Sequence, residues 1–332
     1  MFLVYSLLSV IMSQISPVTS TSSQINPFAQ PGEWLYAFWK FSRPHTIIGT
    51  SLSVLALYLI SLATTDSSVT VESLGQLLGA LLACLCGNVY IVGLNQLEDV
   101  EIDQINKPHL PIAAGEFSRQ QAQLIVAVTG IMALLLAWLQ GLWLLLMVGT
   151  SLAIGTAYSL PPVRLKRFPF WAALCIFSVR GAIVNIGLFL HFSDRLSEKL
   201  VLPPAPVWAL TLFIVVFTFA IAIFKDIPDM EGDKQYNITT FTIQLGKQAV
   251  FNLARWVLTA CYVGMTLAGL LWLHSVNPVF LVMTHLVVLG LMWWRSRSVD
   301  LRDKGAIAQF YQFIWKLFFL EYLIFPAACL FT

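Results

Sequence analysis

Leu74-Gly-Gln-Leu-Leu-Gly-Ala-Leu-Leu-Ala-Cys-Leu-Cys-Gly-Asn-Val-Tyr-Ile-Val-Gly-Leu-Asn95-Gln-Leu-Glu98-Asp99-Val-Glu101-Ile-Asp103 passes from an unbroken apolar run into four carboxylates. The apolar part has the roughly 20-residue length of a membrane-spanning helix. Lys225-Asp226-Ile-Pro-Asp229-Met-Glu231-Gly-Asp233 repeats the junction after a second apolar run. The chain has 17 Asp plus Glu, and eight of them fall in these two stretches. On a helix Asn95, Asp99 and Asp103 share one face, and so do Asp226, Asp229 and Asp233 if the helix continues through Pro228. Carboxylates crowded this way repel one another unless a cation is held between them. Hard oxygen donors with no Cys or His beside them favour Mg²⁺, which keeps waters and bridges to phosphates.

Composition agrees with a polytopic helical membrane protein. The chain is 58% hydrophobic and 11% charged, with mean hydropathy +0.78. A soluble globular domain is excluded. Spans are expected near 45–62, 74–97, 121–139, 142–160, 170–190, 206–226, 249–272, 277–294 and 309–330. The runs are continuous rather than alternating, which argues against a closed β-barrel. Of the 19 Lys plus Arg, fifteen map to one side of this nine-span arrangement, while the loops near 63–73, 140–141 and 273–277 carry none. Arg195 and Lys199 sit after span five, and Arg180 and Lys316 lie inside spans. Positive-inside asymmetry places the N-terminus and both acidic stretches on the cytoplasmic side, where they can converge. Each acidic stretch ends the second span of a four-span block, a weak internal repeat (spans one to four and five to eight) with span nine added.

Residues 1–32 read as a lead-in, apolar from Phe2 to Met12 and then rich in Ser, Thr, Gln and Pro; the helical domain occupies 33–332. The first basic residue is Lys40, so an Arg-rich transit peptide is not expected, and Met12 offers an alternative start. The five Cys are expected to be buried small hydrophobes rather than a disulfide framework. A net charge of +2 gives no argument for a nucleic-acid partner, and none is expected. The partner implied by the composition is the lipid bilayer itself.

Lys107, four residues past the first acidic stretch, and Arg164, Lys166 and Arg167 in Tyr158-Ser-Leu-Pro-Pro-Val-Arg-Leu-Lys-Arg167 can donate to phosphate oxygens. The same residues would serve as a positive-inside anchor. A charge inside a span is expensive and marks Arg180 as a substrate contact or a structural hydrogen bond. Arg43 and His45 stand at the start of span one. Lys316 and Glu321 in span nine are read as a packed polar contact, with a substrate role as the alternative. The Trp pairs and Phe runs are read as lipid-facing or interfacial. Gly181 and Gly246 are read as packing or bend positions, and His109 lacks a second His at zinc-ligand spacing.

Asn95-x-x-x-Asp99-x-x-x-Asp103, Asp229-x-x-x-Asp233 and Tyr158-Ser-x-Pro-Pro-x-Arg-x-Lys166 resemble the UbiA superfamily of intramembrane prenyltransferases. Arg43-Pro-His-Thr46, Ile105-Asn-Lys-Pro-x-Leu-Pro-x-Ala113, Phe224-Lys-Asp-x-Pro-Asp-Met-Glu-Gly-Asp233 and Phe310-Tyr-Gln-Phe-x-Trp-Lys316 resemble its homogentisate-prenylating branch. The resemblance covers roughly 34–330. It implies a helical bundle around a central cavity open sideways to lipid. It implies Mg²⁺ on Asp99, Asp103, Asp229 and Asp233, with Asn95 beside them as an orienting residue. Lys107, Tyr158, Arg164, Lys166, Lys225, Asp226, Arg180 and Arg43 are the implied substrate contacts. The implied reaction moves a prenyl (phytyl) group from its diphosphate to homogentisate, with loss of CO₂ and diphosphate, as in tocopherol synthesis. The implied location is the thylakoid or plasma membrane of a cyanobacterial-type cell. Solanesyl or geranylgeranyl diphosphate, or a tetrapyrrole acceptor, would fit the aspartate motifs equally well, because these read only the diphosphate. A cation-coupled transporter is the reading from another class. Oligomeric state is not legible.

Overall fold

The structure is a computed structural model that describes residues 24–331, apart from 27, 198–200, 237–238 and the side chain of Glu231. Most of the expected lead-in, and Lys199, lie outside the described residues. Described structure starts at 24, and the Ile25 N–H donates to the Glu116 carbonyl at 3.0 Å. A short helix, α1 (Pro31–Phe41), follows, with Leu35, Tyr36 and Trp39 exposed and Ala37 and Phe41 buried. Lys40 at its end pairs with Glu116. Aromatic rings outward and a cation at the tip suit a helix lying at the membrane–water interface.

Nine helices among the described residues are long and apolar enough to cross a membrane, and the chain is an integral membrane protein. They are α2 (Pro44–Thr65), α3 (Val71–Glu98), α5 (Arg119–Gln140), α6 (Leu142–Ser159), a broken fifth span, α9 (Ala205–Phe224), α12 (Lys247–Leu271), α13 (Pro278–Ser296) and α14 (Lys304–Leu330). The fifth span consists of α7 (Pro169–Phe177), a π turn (Ser178–Ile183) and α8 (Val184–Ser197). Twenty-two residues, as in α2, give a helix of about 33 Å, enough for a hydrocarbon core of about 30 Å. The tight 140–141 boundary is real: Gly141 has φ +129°, and Arg195 Nε and Nη2 donate to the Gln140 carbonyl at 2.9 and 2.5 Å. Arg195 thereby caps a carbonyl that the end of the helix leaves without an intrahelical partner.

Spans pair in the same sequence within both expected blocks. α2 packs on α3, α3 on α5 and α5 on α6; the fifth span packs on α9, α9 on α12 and α12 on α13. The last span, α14, packs against α2, α9 and α13. Each block carries a short acidic helix after its second span, α4 (Val100–Asn106) and α10 (Asp226–Gln235), and these two helices touch each other. The interior is built largely from α9 and α14, with Phe217 lying 5.8 Å from Phe318 and Phe213 5.4 Å from Tyr262. Trp138, Leu139, Trp256, Leu271 and Trp294 stay exposed, as lipid-facing residues do. Cys175, Cys261 and Cys329 are buried; Cys84 and Cys86 are only half-buried, and all five are free thiols.

Two expectations need correction. Asn95, Asp99 and Asp103 do not lie on one unbroken helix. Asp99 (φ −121°, ψ 22°) interrupts it, although the Asp103 N–H still donates to the Asp99 carbonyl at 2.7 Å. Glu321 does not meet Lys316. It pairs with His285 Nε2 of the eighth span at 3.2 Å, since a five-residue offset turns two side chains away from each other.

Candidate active site

The two acidic helices meet at one end of a central cavity of about 890 Å³. The Gly232 N–H donates to Asn106 Oδ1 at 3.0 Å, and a Cβ on Gly232 would stand 2.6 Å from that side chain. Glycine is therefore what lets α10 close on α4. Lys107 completes the junction, with Nζ 2.6 Å from Asp229 Oδ2 and 3.9 Å from Asp103 Oδ1. Lys225 Nζ reaches Asp226 Oδ1 at 2.8 Å.

A second group centres on Asp99. Its carboxylate accepts from Asn95 Nδ2 at 2.9 Å and from Arg164 Nη2 at 3.0 Å, and Lys166 Nζ lies at 2.5 Å. Arg43 Nη2 donates to Asn95 Oδ1 at 3.1 Å. Arg43 (φ 52°) and Arg164 (φ 40°) both hold left-handed backbone, an uncommon conformation for side-chain-bearing residues that tends to gather at functional sites.

Burial shapes the charges here. It raises the Asp103 carboxyl above its ordinary value, with Arg43 and Lys107 opposing. It pushes Asp233 up to about 7, with Lys225 opposing and then Asp229 and Asp226 adding repulsion. It lowers the Lys166 ammonium despite the pull of Asp99. Asp103 Oδ2 is buried with no hydrogen-bond partner.

The donors facing the cavity are hard oxygens, with one orphaned buried oxygen among them. That is the chemistry of a Mg²⁺ site. Among the described residues no three His, Cys, Asp or Glu come close enough to hold a metal ion, because basic side chains are paired with the carboxylates instead.

Of the sequence-derived site residues, Asn95, Asp99, Asp103, Asp229, Asp233, Lys107, Tyr158, Lys166, Arg180, Lys225, Asp226 and Arg43 all line the cavity. Arg164 does not; it grips Asp99 and the Glu98 carbonyl (3.2 Å), so it supports the site rather than facing it. The expected lipid-facing role of the Trp and Phe residues fails on α14, where Trp315, Phe318 and Phe319 line the cavity. Asn106 and Gly232 were missed. The glycine inside the polar Asp229-Met-Glu-Gly-Asp233 run was the available signal.

Arg180 lies deeper, on the π turn, with its guanidinium 5.0 Å from the Trp315 ring and 5.7 Å from that of Phe318. Gly181 packs against the backbone of Val215, where a Cβ would sit 2.7 Å from Cα. Asn185 Nδ2 donates to the Gly181 carbonyl at 2.5 Å, and Tyr322 Oη donates to Asn185 Oδ1 at 3.0 Å, tying the turn to α14. An arginine at a helix centre costs about 2.5–3.5 kcal/mol on insertion scales, and a cation–π contact returns about 0.5–2 kcal/mol.

Residues 50–317 match the UbiA prenyltransferase family. A homogentisate phytyltransferase of Synechocystis sp. is 59% identical over 298 residues, covering 89% of this chain and 96% of that protein. The chloroplastic homogentisate phytyltransferase 1 of Arabidopsis thaliana is 42% identical, covering 88% and 75%. A UbiA homolog from Archaeoglobus fulgidus, solved with GPP and Mg²⁺, superposes with a TM-score of 0.60 at 16% identity, covering 88% of this chain and 99% of that one. The paired acidic helices sealed by Lys107 therefore sit in a familiar setting: this chain is a prenyltransferase and belongs to the UbiA prenyltransferase family.

Proposed function

We propose that this prenyltransferase moves a phytyl group from phytyl diphosphate to homogentisate. The observation that carries the reading is the convergence of α4 and α10 on one cavity, with Lys107 between Asp103 and Asp229. Relatives named for homogentisate supply the acceptor, and the A. fulgidus homolog bound to GPP and Mg²⁺ supports a metal-held diphosphate. Asp99, Asp103, Asp229 and Asp233 would hold Mg²⁺, with Asn95 orienting Asp99. When bound, Mg²⁺ supplies charge neutralisation to the departing diphosphate.

Lys107, Lys166 and Lys225 add positive charge at the same end, and Arg43 and Tyr158 line it. The prenyl C1–O bond breaks, and the bond from C1 to a ring carbon forms. The ring carbon loses a proton. The CH₂–COO⁻ bond breaks with release of CO₂, and a proton takes its place. The products are the prenylated methylhydroquinone, CO₂ and diphosphate, and charge is conserved. The apolar, aromatic cavity excludes water from the allylic cation.

The acidic end faces the cytoplasm, a placement supported by the basic residues gathered there. Residues 33–332 form the working unit, in a thylakoid or plasma membrane.

A geranylgeranyl or solanesyl donor is the second reading. It is favoured by a homogentisate geranylgeranyltransferase of Triticum aestivum and a homogentisate solanesyltransferase of A. thaliana, each 37% identical. Membranes supplied with radiolabelled homogentisate, Mg²⁺ and each diphosphate in turn decide between them. Lipid-soluble product that is EDTA-sensitive and strongest with phytyl diphosphate is expected. Product with another donor alone would move the chain to that branch, and no product with any donor would overturn the acceptor.

A further inference from the structure

Arg180 is a cavity cation with no role at the diphosphate end. Among the described residues it makes no ion pair or hydrogen bond, and its neighbours are rings. Trp315 and Phe318 lie within cation–π range, and the His45 ring lies 4.8 Å from that of Trp315, tilted by 58°. Tyr311 also lines the cavity here. A guanidinium stacked on a ring keeps its N–H donors in its own plane, free for a planar, two-oxygen anion. Gly49 leaves room beside it, since a Cβ there would stand 3.3 Å from Arg180 Nη1. The π turn and the Gly181–Asn185–Tyr322 chain fix the guanidinium against α14.

A fixed, unpaired cation within the bilayer, walled by aromatic side chains, matches a flat aromatic ring bearing a carboxylate. A diphosphate carries more negative charge than one guanidinium neutralises, and it has the lysines at the acidic end. We infer that Arg180, with His45, Gly49, Tyr311, Trp315 and Phe318, forms the subsite for the carboxylate of the aromatic acceptor. Arg180 binds that carboxylate and thereby positions the ring. This deepens the proposed function and rests on its assignment of an acidic aromatic acceptor.

The test uses the purified full chain in lipid nanodiscs and equilibrium dialysis, without turnover. Radiolabelled homogentisate, methylhydroquinone (the same ring without the carboxylate) and pyrophosphate with Mg²⁺ are the probes. Arg180→Gln should weaken homogentisate by about tenfold or more, as loss of a charge-assisted contact does, while methylhydroquinone and pyrophosphate are unchanged. Arg180→Lys should recover part of the loss. Gly49→Ala, which keeps the charge and crowds it, should weaken homogentisate alone and covers the case in which Arg180→Gln fails to fold.

Unchanged homogentisate affinity in Arg180→Gln, or an equal loss of pyrophosphate, would overturn the inference. Should the wild type ignore homogentisate yet hold 4-hydroxybenzoate in an Arg180-dependent way, the acceptor assignment fails and the subsite stands. Binding of neither acid overturns it.

Discussion

Lys107 joins two acidic helices 122 residues apart in sequence by placing Nζ 2.6 Å from Asp229 Oδ2. Without it, Asp103 and Asp229 would face each other with less compensation. Lys107→Met should lower the melting temperature of the EDTA-treated protein, and excess Mg²⁺ should restore part of the loss. Diphosphate release should fall by about tenfold or more, the usual cost of removing a group that stabilises developing charge. A melting curve indifferent to both the substitution and Mg²⁺ would contradict the bridging role.

Asp99 accepts from Asn95 and Arg164 and pairs with Lys166. Asp99→Asn keeps the shape and removes the charge that these donors share. Product formation is expected to drop by about a hundredfold or more. Arg164→Lys should fall less steeply and mainly through kcat, because Arg164 holds Asp99 rather than facing the cavity. Steady-state kinetics with varied Mg²⁺ check both.

Asp233 titrates at about 7, well above the ordinary 3.8. Between those values the folded protein holds a proton that the unfolded chain has released. The stability of the metal-free protein must therefore fall as pH rises through this window. Asp233→Asn should flatten that part of the pH profile while lowering activity. Mg²⁺ affinity should rise as the carboxyl ionises toward pH 7 and above. Melting curves with EDTA, and Mg²⁺ titrations at several pH values, supply the check.

Gly232 is pressed against Asn106, 2.6 Å from where a Cβ would be. Gly232→Ala should cost about 1–3 kcal/mol through overpacking and spread α10 from α4. Activity should fall more than in Gly246→Ala, which meets nothing within 4 Å although its φ of +84° brings backbone strain. Comparing both variants separates junction closure from general strain.

Much of the fold was legible because membrane spans announce themselves by length and composition. The spans from 45–62 through 309–330 reappear with ends shifted by a few residues. The aspartates were legible because carboxylates in such a chain have few other reasons to cluster. Other features depend on contacts that a linear pattern does not carry. Trp315 and Trp294 are the same residue type on neighbouring helices, yet one lines the cavity and the other faces outward. Asp99, where the helix breaks, is held by Arg164 and Lys166 from 65 or more residues away, contacts that spacing along one helix does not carry. Glu321 found His285 because packing of α13 on α14, not spacing along one helix, decides who meets whom.

The π turn at Ser178–Ile183 makes helix phase a variable. Each residue advances an α-helix by about 100°, so a deletion of one residue that restored regular α geometry would swing Arg180 and everything before it round relative to α8. A single codon lost or gained there would turn the guanidinium, and the cavity-lining residues of α7 with it, away from their present positions. Under the subsite proposed for Arg180, acceptor binding would then change with chain length in this turn as well as with the identity of its residues.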